Sequence, residues 1–154
     1  MKRIITAFIF CSTFSVALAQ DVTSLRKQHY NLSHGLALDG YDAVAYFTEH
    51  KAVKGSKEFA IYHEGATYYF ATADDKELFR KNPSGYEPQY GGWCAYAMGA
   101  KGEKVTVDPE TFKIIDNKLF LFYNRFLNNT LNSWNKDEKS LHAKADQNWN
   151  KIYH

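Results

Sequence analysis

Residues 59–83 read FAIYHEGATYYFATADDKELFRKNP, and the fold class turns on them. Phe59 to His63 and Thr67 to Ala71 are rich in aromatic and β-favouring side chains, and they flank Glu64-Gly65-Ala66. Two such runs around a glycine-containing connection predict a β-hairpin. The pattern then changes from strand to helix. Thr72 with Asp75 three residues later resembles a capping box, Leu78 and Phe79 are expected to face inward, and Pro83 ends the helix.

Working outward from this stretch gives more of the same. On the C-terminal side, Tyr86 to Tyr90 reads as a connection into Gly91-Gly92-Trp93-Cys94-Ala95-Tyr96-Ala97-Met98-Gly99, whose middle predicts a short helix closed by Gly99. Asp108-Pro109-Glu110 reads as a turn. Lys113-Ile114-Ile115 and Leu119 to Phe122 surround Asp116-Asn117-Lys118 and predict a second hairpin. From Asp137 to Ile152, Leu141, Ala145, Trp149 and Ile152 form one helical stripe, expected against the sheet. On the N-terminal side, Gly40-Tyr41-Asp42 predicts a turn into a strand over Ala43–Phe47, with a loop over Lys51–Lys57. Residues 20–38 predict an N-terminal arm with a helical turn near Leu25 to His29. Strands that come as hairpins, interrupted by helices, predict an α+β fold: a small antiparallel sheet with packed helices, including a C-terminal amphipathic helix. No internal repeat is present, and residues 39–154 are expected as one domain.

The first 19 residues read differently. Lys2 and Arg3, the apolar run Ile4–Phe10 and the small-residue site Ala17-Leu18-Ala19 predict a cleavable export signal. The run is too short and too polar to span a bilayer. The expected destination is therefore the periplasm or the medium, with no membrane insertion after cleavage. Loss of Lys2 and Arg3 leaves basic and acidic residues balanced at 17 each, interspersed and without a stripe of one sign. Electrostatic binding to nucleic acid has no footprint here. Aromatic residues make up 16% of the chain, so much of the core must be built from rings. Cys11 departs with the signal, leaving Cys94 with no intrachain disulfide partner.

Two chemistries compete for Cys94, and the leading expectation is an exported domain that binds a soft metal ion through it. At i,i+4 on a helix, Cys94 and Met98 would share a face, and thiolate with thioether favours a soft ion such as copper. His63 or His34 would supply a third donor. The competing reading packs Cys94 and Met98 as core residues. The tyrosine-rich segments Tyr41–Phe47 and Tyr86–Tyr96 then line a pocket for a small ligand or another exported protein, with Asp42, Tyr46 and Tyr90 as candidate contacts. His142 and Asp146, also i,i+4, predict a solvated charge pair. The sequence contains no G-x-S-x-G elbow, phosphate loop, dinucleotide fingerprint or C-x-x-C motif. A Cys94–His pair is the one nucleophilic arrangement available, no reaction is identified, and a non-catalytic domain is expected.

The order of these pieces resembles the YHS-domain family in its exported bacterial form. The matching segments are G-Y-D-A-V-A-Y-F at 40–47, Y-H-E-G-A-T-Y-Y-F-A at 62–71 and F-R-K-N-P-S-G-Y at 79–86. They continue with P-Q-Y-G-G-W-C-A at 88–95, V-D-P-E-T-F at 107–112 and A-D-Q-N-W at 145–149. The resemblance implies a small domain related to metal-binding modules. Metal-type members carry cysteine directly after Tyr-Phe and again four residues later, where this chain has Ala71 and Asp75. Cys94 instead belongs to the Gly-Gly-aromatic-Cys-Ala motif of the exported subgroup.

Overall fold

The computed structural model describes residues 12–153, with side chains from Asp21 onward. The basic start, the apolar run, Cys11 and the side chains of Ala17–Ala19, on which the export reading rests, lie outside that range. The fold is α+β.

Helix α1 (Ser12–His29) is longer than the single turn expected in this region. Its last turn carries Arg26, Lys27 and His29, which complement the negative end of the helix dipole. Tertiary contacts hold it in place. Arg26 is only 4% exposed, and Gly65 in the β-hairpin lies under the helix, where a Cβ would fall 2.7 Å from the Thr23 carbonyl oxygen.

A short ladder follows, β1 (Leu32–Ser33) with β2 (Leu36–Ala37). The strand expected over Ala43–Phe47 is instead a helical turn, α2 (Ala45–Thr48). Ala43, Val44, Ala45 and Tyr46 are all fully buried, and an unbroken apolar run has no period to separate strand from helix. Asp42 decides it. Its Oδ1 accepts the backbone N–H of Val44 at 2.8 Å and of Ala45 at 3.3 Å, which bends the chain into a turn.

The predicted hairpin is present as β3 (Ser56–His63) and β4 (Ala66–Phe70), with β3 beginning inside the expected loop. Sheet order is β1-β2-β4-β3, antiparallel except for the β2–β4 contact. Helix α3 (Ala73–Lys81) begins as read, with Thr72 Oγ1 accepting the Asp75 N–H at 3.0 Å. Phe79 is fully buried, but Leu78 is left exposed. Consecutive helical residues lie about 100° apart, so the two cannot both face the core centre.

After α4 (Pro83–Tyr86) and a 3-10 turn at Gln89–Gly92, helix α5 (Ala95–Lys101) runs past its expected end. Gly102, at φ 69°, closes it rather than Gly99. Gly99 instead permits a close approach. A Cβ there would lie 2.4 Å from the Leu141 carbonyl oxygen, so α5 meets the C-terminal helix backbone to backbone.

The second hairpin pairs β5 (Asp108–Ile115) with β6 (Lys118–Phe122). The turn expected at Asp108–Glu110 is absorbed into β5 as a register shift before Phe112. A two-residue hairpin, β7 (Asn124–Arg125) with β8 (Asn128–Asn129), leads into α6 (Thr130–Trp134), capped by the Asn129 side chain. Helix α7 (Glu138–Tyr153) closes the fold. Its stripe buries Leu141 and Ala145 and half-buries Trp149 and Ile152, chiefly against α5, in one cluster with Tyr90, Phe120 and Trp134 rather than on the β3–β4 sheet.

Strand β6 partitions the interior by its period of two. Leu119 and Leu121 enter a first cluster with Tyr46, Tyr68, Phe70 and Phe79, whereas Phe120 and Phe122 enter a second with Trp134 and Leu141.

Candidate functional site

Cys94 and Met98 fall on opposite sides of that partition, Cys94 in the first cluster and Met98 in the second, both fully buried. The reason is local. Cys94 is the residue before the first helical position of α5, at φ −58° and ψ 115°, so the same-face rule for i,i+4 does not apply to its side chain. Its sulfur receives the Tyr123 N–H at 3.4 Å and lies 3.4 Å from Thr130 Oγ1. Thr130 already donates its one proton to the Tyr123 carbonyl at 2.9 Å, so the thiol is the donor in the Cys94–Thr130 contact. His63 ends β3 with its ring edge-on to Phe79 at 5.9 Å and its Nε2 3.6 Å from Glu64. His34 occupies the β1–β2 turn at φ 52°. The candidate donors are thus held in separate surroundings, and no three His, Cys, Asp or Glu side chains gather as a metal-holding group among the described residues.

Asp42 and Tyr46 are framework groups. Besides starting α2, Asp42 accepts the Ala71 N–H at 2.7 Å and so ties the end of β4 to that turn. Burial raises its pKa, and the N–H bonds from Ala71 and Val44 oppose the rise. Tyr46 is fully buried, donates its hydroxyl to the Pro109 carbonyl at 2.8 Å and packs edge-on against Phe112 at 4.8 Å.

Tyr90 is different, because it lines a cavity of about 390 Å³ where α1, the Gln89–Gly92 turn and α7 meet. Tyr30, Tyr90 and Trp149 supply rings, with Trp149 lying 6.2 Å from Tyr30 and 6.5 Å from Tyr90. Trp149 is braced from behind by Tyr153, stacked at 5.2 Å. The backbone reaches the rings through Gly91, at φ 59°. A Cβ there would meet Tyr30 at 2.8 Å and Trp149 at 3.0 Å.

Polar groups frame the rings. Arg26 lies over the Tyr30 ring at 4.6 Å, and its guanidinium bonds both oxygens of Glu87. Tyr68 donates to Glu87 Oε1 at 2.7 Å. Burial works against the Arg26 charge, but Glu87 outweighs it and the guanidinium pKa rises. Tyr90 donates to Asp146 Oδ1 at 2.9 Å. Burial first, and this bond second, raise the Tyr90 phenol pKa well beyond its ordinary value, so the hydroxyl stays a donor at neutral pH. Asp146 also lies 3.7 Å from His142, the pair read from sequence. Gln89, Asn150 and Lys118 bring amide and ammonium groups to the same cavity.

Of the seven candidate metal or ligand contacts, only Tyr90 lies in this cavity. Sequence reading missed Tyr30, Trp149 and Glu87. Trp149 is part of the α7 stripe and therefore reads as core, while the adjacent Gly91-Gly92 was the available sign of a close backbone approach. A second cavity, about 260 Å³, shares no lining residue with the first and is lined by Tyr96 and Ala97 of α5, Val105 and Tyr123, with the buried Cys94 and Thr130 at its floor. No family model, curated protein or solved structure matches the chain.

Proposed function

We propose that this protein is an exported, non-catalytic binding module of YHS type that holds a small polar ligand against the rings of Tyr30, Tyr90 and Trp149, with Cys94 serving as a core residue. The observation that carries this reading is the convergence of those rings with Gln89, Asn150 and Asp146 at one cavity. Three rings set among the polar side chains of Ser84, Glu87, Gln89, Lys118, Asp146 and Asn150 suit a ligand that is itself polar. The buried Arg26–Glu87–Tyr68 network holds the wall from behind, so its shape is set before a ligand arrives.

The test uses the chain from Gln20 to His154 and mixtures of small polar metabolites, followed by amide NMR. Shifts are expected at Tyr30, Gln89, Tyr90 and Asn150, and Trp149→Phe should weaken the strongest binder about tenfold. A ligand-induced pattern that avoids these residues would sink the proposal. The soft-metal alternative is tested on the same sample with Cu(I) under reducing conditions. Tight one-to-one binding that disappears in Cys94→Ala would favour copper, and would require Cys94, Met98 or His63 to leave its present packing.

A further inference from the structure

We propose that the cavity beside Cys94 and the Phe126–Leu127 hairpin tip form one further binding site, for a small apolar ligand with a single polar end, with the tip closing over the ligand's exposed side. This site is separate from the Tyr90 cavity and does not depend on how that cavity is used. Its walls are Tyr96, Ala97, Ala100, Val105 and Tyr123. The polar atoms at its floor are already satisfied: the Cys94 thiol is bonded to Thr130, and Thr130 to the Tyr123 carbonyl. A ligand entering there finds no free donor or acceptor at the base, so the buried part must be apolar. Lys101, Glu103 and Asn128 are exposed lining residues, which gives the mouth a place for one polar end. The volume is about 260 Å³. Benzene occupies a dry apolar cavity of about 150 Å³, so a bicyclic ring or a short chain suits this one.

The tip supplies the second observation. Phe126 and Leu127 are 93% and 108% exposed, the most exposed large apolar side chains among the described residues. They are also held at φ 52° and 64°, a region that non-glycine residues with bulky side chains avoid. Asn128 both pairs with Arg125 across the hairpin and lines the cavity, so the tip begins at the cavity mouth. Folding over an apolar ligand would remove both side chains from water, which their present position does not.

Indole, a bicyclic ring with one polar end, is the probe. Titrated into the full-length protein, it should saturate one site and shift the amides of Ala97, Val105, Tyr123, Phe126 and Leu127. Ala100→Trp, at an exposed position on the cavity wall, should abolish those shifts. Phe126→Ser with Leu127→Ser should weaken binding about tenfold without lowering Tm, and because both side chains are in solvent the double variant will fold. Indole shifts confined to Tyr30 and Trp149, or a tip variant binding within about twofold of wild type, overturn the proposal. So does concentration-dependent dimerisation that the tip variant abolishes, since the tip would then serve a second copy of the chain.

Discussion

Two hairpins in this protein turn in the same way with opposite residues. The β5–β6 connection places Asp116 and Asn117 at φ 49° and 56°, and the β7–β8 connection places Phe126 and Leu127 at 52° and 64°. Both are two-residue turns with left-handed central positions, the geometry that matches strand twist. Asp and Asn tolerate that region because their short side chains bond locally, whereas Phe and Leu gain nothing from it. The first hairpin also buries its strands, with Phe120 and Phe122 on one side and Leu119 and Leu121 on the other. The second presents its two largest apolar groups to water. In the first turn local preference and global fold agree; in the second they conflict, and such conflicts concentrate where a protein does something besides fold.

Exchanging the turn chemistries tests this contrast directly. Asp116→Phe with Asn117→Leu should cost about 2–4 kcal/mol, because each new side chain sits in a region worth roughly 1–2 kcal/mol against it. Thermal melts should then show a lower Tm, and an unchanged one would mean that left-handed strain does not distinguish the turns. The reverse exchange, Phe126→Asn with Leu127→Gly, should stabilise by about 1 kcal/mol while weakening indole binding about tenfold. A stabilised variant that bound indole as tightly as wild type would separate strain from function.

The smallest effect concerns an ion pair that fastens the first hairpin from outside, where the second is fastened by a neutral bond from Asn124 to Thr111 on β5 at 3.0 Å. Lys113 on β5 is hydrogen-bonded to Glu138 at the start of α7, and that bond lowers the Glu138 pKa below its ordinary 4.5, with burial opposing. A lowered folded-state value means the contribution is present above that pH and is lost as pH falls through the folded value. Both groups are about one-third exposed, so the effect should stay under about 1 kcal/mol. Protection of the Lys113–Ile115 amides, their exchange rate taken relative to the intrinsic rate at each pH, should fall on acidification from about pH 6 to 3, more in wild type than in Glu138→Gln. An equal fall in both would remove Glu138 from the account.

Much of the fold was legible where the deciding contacts are local. The β3–β4 hairpin was visible because Phe59–His63 and Thr67–Ala71 carry strand composition around a glycine, and α3 because Thr72 caps it three residues away. Helix α2 was not, since Ala43–Tyr46 is buried on every side and the carboxylate that bends it also bonds Ala71, far along the chain. Helix α1 was read too short because Arg26 finds Glu87 only in three dimensions. At the candidate site Tyr90 was legible from its tyrosine-rich segment. The Cys94–Met98 pairing was misread because the helix begins one residue after the cysteine.

The placement of Cys94 has a practical consequence. It is fully buried, and it is the one cysteine among the described residues. With no surface exposed, that sulfur meets a thiol reagent only when the packing around it opens, so its labelling rate acts as a clock for that opening. In dilute reagent the rate reports how often the closed form yields, and in excess reagent how fast it yields. The same sulfur lies at the floor of the smaller cavity. A molecule seated above it would slow the clock, turning a single buried atom into a readout of occupancy that needs no label on the ligand.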